Sequence, residues 1–161
     1  MFNLVFAVVA LLGASVHMAL SPKRRSSGAA IAGTYLICLL FIYVGLMGLL
    51  TAYGHVFRSA QTSASIGWAT SPYEYEVGMA DLTVGVLGVL CLRFRGNFWL
   101  ATAIANAVWL LGDAIGHIRE MTLHGNHARN NSGVFLGCEI AVPVIILILV
   151  AYTRRAHVEK P

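Results

Sequence analysis

Three apolar segments of this chain each carry a carboxylate away from their ends. Asp81, Asp113 and Glu139 stand among apolar residues, where an acid is unusual. A charged side chain in the middle of a membrane helix costs about 2.5–3.5 kcal/mol, and such residues nearly always face the interior of a bundle. Protonation, a cationic neighbour, a metal ion or water would have to compensate, so these acids are the first candidates for chemistry.

His117 follows Asp113 by one helical turn. This spacing places the carboxylate and the imidazole on one helix face, together with Asn106 and Glu120. The pattern predicts either an acid–base pair, in which Asp113 orients His117, or two ligands of a metal ion. The predicted catalytic residues are Asp81, Asp113, His117 and Glu139.

The same cluster is a candidate metal site. Its nitrogen and oxygen donors suit a divalent transition metal such as iron, manganese, zinc or copper. The predicted ligands are Glu76, Asp81, Asp113, His117, Glu120 and Glu139. The residues predicted to line the substrate pocket are His55, Glu74 and Asn106. A haem held by His55 and His117 is disfavoured because the acids around it suit a porphyrin poorly.

Each of these residues also has a purely structural interpretation. Asp113 and His117 could form a hydrogen-bonded pair that fixes helix packing, and Asp81 could pair with a neighbouring helix. Glu139 precedes Pro143 by four residues and could compensate for the hydrogen-bond donor that proline removes. Both interpretations stay open at this point.

Apolar helices must position these residues. The 161 residues are 58% hydrophobic and only 11% charged, with a mean hydropathy of +0.73. Soluble domains are about 25% charged, so the composition excludes an ordinary soluble enzyme or a nucleic-acid-binding module. The sequence predicts an all-α integral membrane bundle, a single domain over residues 1–161, with five spans at 2–20, 29–53, 77–92, 98–118 and 133–152. The alternative has four spans and an interfacial N-terminal helix.

Basic residues cluster on one side of this predicted bundle. The positive-inside rule then places the N-terminus outside and the C-terminus in the cytoplasm, as expected for a protein of the cytoplasmic (inner) membrane. At 1.5 Å per residue, Asp81, Asp113 and Glu139 lie at a similar depth, about 7–9 Å below the outer surface. The clustered basic residues are Lys23, Arg24, Arg25, Arg93, Arg95, Arg154, Arg155 and Lys160.

Glycines and turns suggest how the helices pack. Gly112 and Gly116 form a GxxxG pattern beside the polar face, which predicts close contact with another helix. The short basic turn at 93–97 predicts that the third and fourth segments pair as a hairpin, with their polar faces together. The polar stretch at 54–75 predicts an interfacial loop with a short amphipathic or re-entrant piece.

Two sequence signatures resemble known families. Residues 67–82 read GWATSPYEYEVGMADL, and residues 112–117 read GDAIGH. Together they resemble the signatures of a family of small, uncharacterised bacterial integral membrane proteins, over roughly residues 50–150. The Glu-Val-Gly helix and the basic turn after it are also loosely similar to DoxX-like proteins, a group that includes subunits of membrane redox complexes. Neither resemblance implies an established activity.

The predicted function follows from the site. We expect a membrane-embedded catalyst, of the oxidoreductase or isomerase/cyclase type, acting on a lipophilic substrate such as a quinone, an isoprenoid or a lipid. One alternative is a non-catalytic accessory or scaffold subunit of a membrane complex, or a homo-oligomer, because glycine and alanine spacings favour helix association. Another is a small transporter or proton conductor. The lipid bilayer is the expected partner, and no feature indicates nucleic acid.

Overall fold

Every regular element of the described chain is a helix. The computed structural model describes residues 2–158, and the prediction of an all-α fold is confirmed over them. The helices are α1 (Phe2–Leu20), α2 (Gly28–Phe57), α3 (Ser59–Ile66), α4 (Tyr73–Leu90), α5 (Asn97–His124) and α6 (Val134–Val158), with a 3-10 turn at Pro22–Arg25.

Four of these helices, namely α1, α2, α5 and α6, are long and apolar enough to cross a membrane. This supports the coarse prediction of a membrane helical bundle. The 18-residue helix α4 is less apolar because it carries Glu74, Glu76 and Asp81. Its status as a fifth span, and the orientation of the bundle, stay predictions.

The helices extend beyond the predicted segments. Helix α2 continues to Phe57 and α5 to His124, while α4 begins at Tyr73 rather than at residue 77. Glu74 and Glu76 therefore lie in the first turn of a helix, where a negative charge interacts favourably with the positive end of the helix dipole. The predicted polar loop contains the short helix α3, which ends at Gly67 in a left-handed conformation (φ +79°).

The middle of α2 is wound as a π-helix over Leu39–Leu46. Such segments are rare and are often found at functional sites. Within it, the fully buried Tyr43 donates a hydrogen bond from its hydroxyl to the carbonyl of Cys138 on α6, at 3.3 Å. The wide turn therefore fixes α2 to the residue that directly precedes Glu139.

Helix α4 packs against α2 through glycines. A Cβ atom on Gly88 would lie 2.6 Å from the Cα of Gly45, and one on Gly48 would lie 2.9 Å from the Cα of Gly85. The two backbones are thus in direct contact, which only residues without side chains permit. This contact positions the N-terminal half of α4 beside the C-terminal half of α2.

Two packing expectations are corrected by this arrangement. Helix α4 has its main contact with α2 rather than forming a tight hairpin with α5, and an apolar groove lies between α4 and α5. The Gly112 and Gly116 pair makes no close helix contact in the described chain. No atom approaches a Cβ on Gly112 within 4 Å, and only the Trp68 ring approaches one on Gly116, at 3.7 Å. The glycines that bring helices together are those of α2 and α4.

Candidate functional site

One end of the bundle encloses a cavity of about 600 Å³. Its walls come from the C-terminal halves of α2 and α5 and from the N-terminal halves of α4 and α6, with α3 and the segment after it above. All four predicted catalytic residues and all three predicted pocket residues line this one cavity: His55, Glu74, Asp81, Asn106, Asp113, His117 and Glu139.

Two of the predicted metal ligands lie elsewhere. Glu76 is exposed, and Glu120 pairs with His124 at 3.1 Å on the outer part of α5. Among the side chains that the structure describes, residues 2–156, no group of three or more His, Cys, Asp or Glu has an arrangement that could hold a metal ion. The metal site therefore stays a prediction.

The His117 ring is held by Asn131, which lies in the loop between α5 and α6. The Asn131 amide donates to the carbonyls of His117 (3.3 Å) and Asn126 (2.8 Å), which fixes the orientation of the amide. Its Oδ1 accepts the indole N–H of Trp68 at 3.0 Å and lies 2.7 Å from Nδ1 of His117. The Trp68 and Phe135 rings pack on the imidazole at centroid distances of 5.4 and 5.5 Å.

These contacts determine which nitrogen of His117 carries a proton. Oδ1 of Asn131 can only accept, so Nδ1 of His117 must be the donor in that hydrogen bond. The other ring nitrogen, Nε2, then has a free lone pair when the imidazole is neutral. Nε2 faces Glu139 and is the atom that can accept a proton inside the cavity.

Glu139 lies opposite this lone pair. Its Oε2 is 3.6 Å from Nε2 of His117, which is longer than a hydrogen bond, and it has no hydrogen-bond partner among the described residues. The residue is only 4% exposed, and an unpaired buried carboxylate is costly. Besides the proton on Nδ1 of His117, the pair is best satisfied by one further proton, either on Glu139 or on Nε2 of His117, with a polar atom inserted between them.

A second buried polar atom lacks a partner in the same cavity. Asn106 is 2% exposed, and its Nδ2 makes no hydrogen bond to any described residue. An unsatisfied buried donor costs roughly 1–3 kcal/mol. The cavity therefore presents one orphan donor, on Asn106, and one orphan carboxyl oxygen, on Glu139. A bound molecule with a polar head could satisfy both.

Another part of the cavity wall, the His55 wall, consists of three ionisable residues: His55, Glu74 and Asp81. Glu74 contacts Nδ1 of His55 at 2.6 Å through one oxygen and accepts the Ser63 hydroxyl on the other. Nε2 of His55 is 4.0 Å from a carboxylate oxygen of Asp81, whose other oxygen accepts the indole N–H of Trp109 at 2.8 Å. His55 thus stands between two carboxylates: it contacts Glu74 directly, whereas its separation from Asp81 is longer than a hydrogen bond.

Asp113 does not make the contact with His117 that its spacing predicts. Among the described residues no hydrogen bond joins it to His117, because the imidazole is turned toward Asn131 and Glu139. Both the expected orienting contact and the expected structural pair are corrected. Asp113 instead lines the cavity and also the groove between α4 and α5, so it lies at the partition between the interior and the lateral face.

Several residues of the site were missed by sequence reasoning. Asn131 orients His117, and Ser63 and Trp109 bind the two carboxylates of the His55 wall. Asn131 stands in an Asn-Asn-Ser-Gly turn, a composition that predicts a loop and gives no sign of a buried amide. The sequence positions of Trp68 and Trp109 fit aromatics of the membrane interface as well as they fit residues of the site.

Replacing Asn131 by alanine is expected to destabilise the site more than a loop substitution normally does. The change leaves the indole N–H of Trp68 and Nδ1 of His117 without their acceptor, at a cost of roughly 1–3 kcal/mol for each buried group. The fluorescence of Trp68 should shift, and chemical unfolding should occur at lower denaturant concentration. The neighbouring Asn130→Ala is the control; an equal effect of both variants would contradict the special role of Asn131.

The comparisons with known proteins give a family but no activity. Residues 1–159 match a family of unknown function (DUF6790). No curated protein and no solved structure matches the chain. The expected resemblance to an uncharacterised family is confirmed at this level, whereas the likeness to DoxX-like proteins stays a prediction.

Proposed function

The chain belongs to the DUF6790 family of unknown function, so we propose its function from the site alone. We propose that the protein binds a lipophilic molecule within the membrane and exchanges a proton with it. The carrying observation is the His117–Glu139 pair, which faces a large cavity with an unpartnered carboxyl oxygen. Because Nε2 of His117 and Oε2 of Glu139 share one proton in this proposal and lack a bridging atom, they can give a proton to a ligand or take one from it.

The cavity wall indicates the kind of ligand. Besides its polar groups, it is lined by apolar side chains, including Phe2, Val44, Met47, Leu110 and Phe135. A cavity of this size with apolar walls and a few polar groups is typical of sites for small organic molecules. The ligand class that fits combines an apolar body with a carbonyl or hydroxyl head, as a quinone, a quinol or an isoprenoid alcohol does.

The polar head can be placed by its hydrogen bonds. A carbonyl oxygen would accept from Nδ2 of Asn106, which has no other partner in the described chain. A hydroxyl would bridge Nε2 of His117 and Oε2 of Glu139 and exchange its proton with that pair. His117 is then the general base or acid, Glu139 its proton partner, and Asn131 the positioning residue. The His55 wall, with Glu74 and Asp81, connects the cavity to α3 and the outside.

Binding of a short-chain ubiquinone tests this proposal. Quinones quench tryptophan fluorescence; Trp68 itself lines the cavity, and Trp109 hydrogen-bonds to Asp81 of its wall. We expect saturable quenching, with an affinity about 10–100-fold weaker in His117→Ala because one strong hydrogen bond is lost. Glu120→Gln, an acid of the same helix outside the cavity, should bind as the unmodified protein does. Equal affinity in all three proteins would reject the site.

The proposal includes a membrane topology. We propose that α4 is a fifth span and that the N-terminus lies outside, because the acidic cavity and the basic residues occupy opposite ends of the helices. A fluorescent protein that folds only in the cytoplasm should therefore be bright when fused to the C-terminus and dark when fused after a secreted leader at the N-terminus. The reverse pattern would refute this orientation.

A further inference from the structure

A second cavity lies at the other end of the bundle. It has a volume of about 470 Å³ and is formed by the turn between α1 and α2, the start of α2, the turn between α4 and α5, and the C-terminal half of α6. The cavity that holds His117 and Glu139 shares no residue with it. Four cationic side chains line this basic cavity: Lys23, Arg24, Arg95 and Arg154.

These cations line one cavity, and no carboxylate of the described residues accompanies them. None of the residues that line the basic cavity is acidic, and within residues 2–158 none of the four pairs with a carboxylate. Arg154 donates to the side-chain oxygen of Asn97 at 2.8 Å, and Arg95 lies over the Trp99 ring at 5.3 Å. Both contacts orient a guanidinium without neutralising it. Like charges around one cavity repel, so a bound anion would remove a cost.

The remaining wall is apolar and open. Its accessible part includes Ala30, Gly33 and the Trp99 ring, and no atom lies within 4 Å of a Cβ placed on Gly33. The two threonines of the wall use their hydroxyl protons within their own helices: Thr34 donates to the carbonyl of Ala30 and Thr153 to that of Leu149. Recognition here therefore depends on charge and apolar contact.

We propose that the basic cavity binds a phosphate group that carries a hydrocarbon chain, as the headgroup of an anionic phospholipid does. Arginine forks suit phosphate oxygens, and basic pockets between membrane helices bind phosphate-bearing headgroups. Arg24, Arg95 and Arg154 hold the phosphate, and the wall formed by Ala30, Gly33 and Trp99 receives the attached chain. This site is separate from the proposed proton-exchange site and does not depend on it.

Thermal unfolding in defined lipid tests the proposal. The purified full-length chain is transferred to nanodiscs of phosphatidylcholine alone or with phosphatidylglycerol, and lipid retention is measured in parallel by native mass spectrometry. Phosphatidylglycerol is expected to raise the unfolding temperature by about 5 °C, as for a ligand well above its dissociation constant. The double variant Arg24→Gln/Arg154→Gln should lose this shift and the retained lipid.

A matched control variant separates the cavity from general surface charge. Arg25 and Arg155 are exposed neighbours of the two cavity arginines and do not line the cavity. Arg25→Gln/Arg155→Gln removes the same charge at the same end and should keep the shift. Equal loss in both double variants would overturn the proposal. Arg95→Gln against Arg93→Gln provides a second pair at another element, should the first cavity variant fail to fold.

Chain-free anions distinguish the sources of the phosphate. Inorganic phosphate and glycerol 3-phosphate are added to the protein in phosphatidylcholine nanodiscs at the same concentrations. We expect phosphatidylglycerol to stabilise the protein at least tenfold more effectively than either. Equal stabilisation by inorganic phosphate, lost only in the cavity variants, would support the phosphate site and overturn the part assigned to the apolar wall. No stabilisation by any anion would reject the site as a whole.

Discussion

Replacing Glu139 by methionine is expected to make the folded protein more stable while it abolishes the proton exchange assigned to this site. Glu139 is buried, and one of its oxygens has no hydrogen-bond partner in the described chain. Methionine has a similar length and no polar atom to satisfy. A buried polar atom without a hydrogen-bond partner costs roughly 1–3 kcal/mol, and an apolar residue of similar length avoids that cost. The unfolding free energy should rise by an amount in that range.

The same variant should bind the ubiquinone probe poorly. A hydroxyl or carbonyl head in the cavity loses its contact with the carboxyl group, and a hydrogen bond to an ionisable partner contributes roughly 1.5–3 kcal/mol. The dissociation constant should therefore increase about 10–100-fold. A gain in stability together with a loss of binding is typical of a residue kept for function.

Two further variants make this prediction sharp. Glu139→Gln keeps the shape and one carbonyl oxygen but cannot release a proton, so it should retain more of the binding than methionine does while losing proton exchange. Glu120→Met changes an acid of α5 that pairs with His124 outside the cavity, and it should affect neither stability nor binding by more than a small amount. Both are measured by reversible unfolding in detergent and by tryptophan quenching.

The opposite result would assign Glu139 to the framework. The sequence allowed the interpretation that Glu139 compensates for the donor that Pro143 removes from α6. In that case methionine would destabilise the helix, and glutamine, which can still form hydrogen bonds, would rescue it. A lower unfolding free energy for Glu139→Met with unchanged ubiquinone binding would therefore refute the functional assignment.

The apolar periodicity was sufficient to predict the helices, because long uncharged segments have few alternatives to a buried or membrane helix. The predicted segment at 2–20 coincides with α1, and the one at 98–118 lies inside α5, which continues to His124. The observed helix ends differ from the predicted ones where a capping residue determines the end. Helix α5 runs on to Gly125, whose positive φ ends it, and that choice depends on a local turn rather than on hydropathy.

The residues of the cavity could be found from the sequence, but their partners could not. An acid within an apolar helix is costly wherever it occurs, so Asp81, Asp113 and Glu139 identify themselves. Which group satisfies each one depends on tertiary contacts. His117 was expected to interact with Asp113 one turn away, yet it contacts Asn131, which lies in a loop and becomes buried only after α6 packs against α5.

Helix pairing was the least predictable feature, because a GxxxG pattern shows where small residues lie on a helix but not which helix packs against them. Gly112 and Gly116 satisfy the pattern and yet make no close helix contact in the described chain. The effective glycines, on α2 and α4, are spaced by three residues in both helices, at 45 and 48 and at 85 and 88. Sequence spacing gives a face, whereas the partner follows from the assembly of all the helices.

Substitution of Gly88 by alanine should therefore unfold or loosen the bundle, whereas the same change at Gly112 should not. A Cβ on Gly88 would lie 2.6 Å from both the Cα of Gly45 and the carbonyl oxygen of Leu40. These are backbone atoms, so relief requires the helices to separate. Overpacking of this kind costs typically 1–3 kcal/mol, and the value should lie at or above the upper end because no flexible side chain can yield.

The comparison with Gly112 removes the effect of intrinsic helix propensity. Both glycines are within helices, and alanine is favoured over glycine there by up to about 1 kcal/mol. Gly112→Ala meets no atom within 4 Å and should be neutral or slightly stabilising. Unfolding in detergent measures both variants, and equal stability would show that α2 and α4 are not in backbone contact.

The consequence of Gly88→Ala for the site follows from the same contact. The packing of α2 on α4 sets the distance between His55 on one helix and Glu74 and Asp81 on the other. Separation of the helices by even 1 Å would break the 2.6 Å contact of His55 with Glu74. Ubiquinone binding should therefore fall in Gly88→Ala and persist in Gly112→Ala. Loss of stability with intact binding would show that the cavity does not depend on this glycine contact.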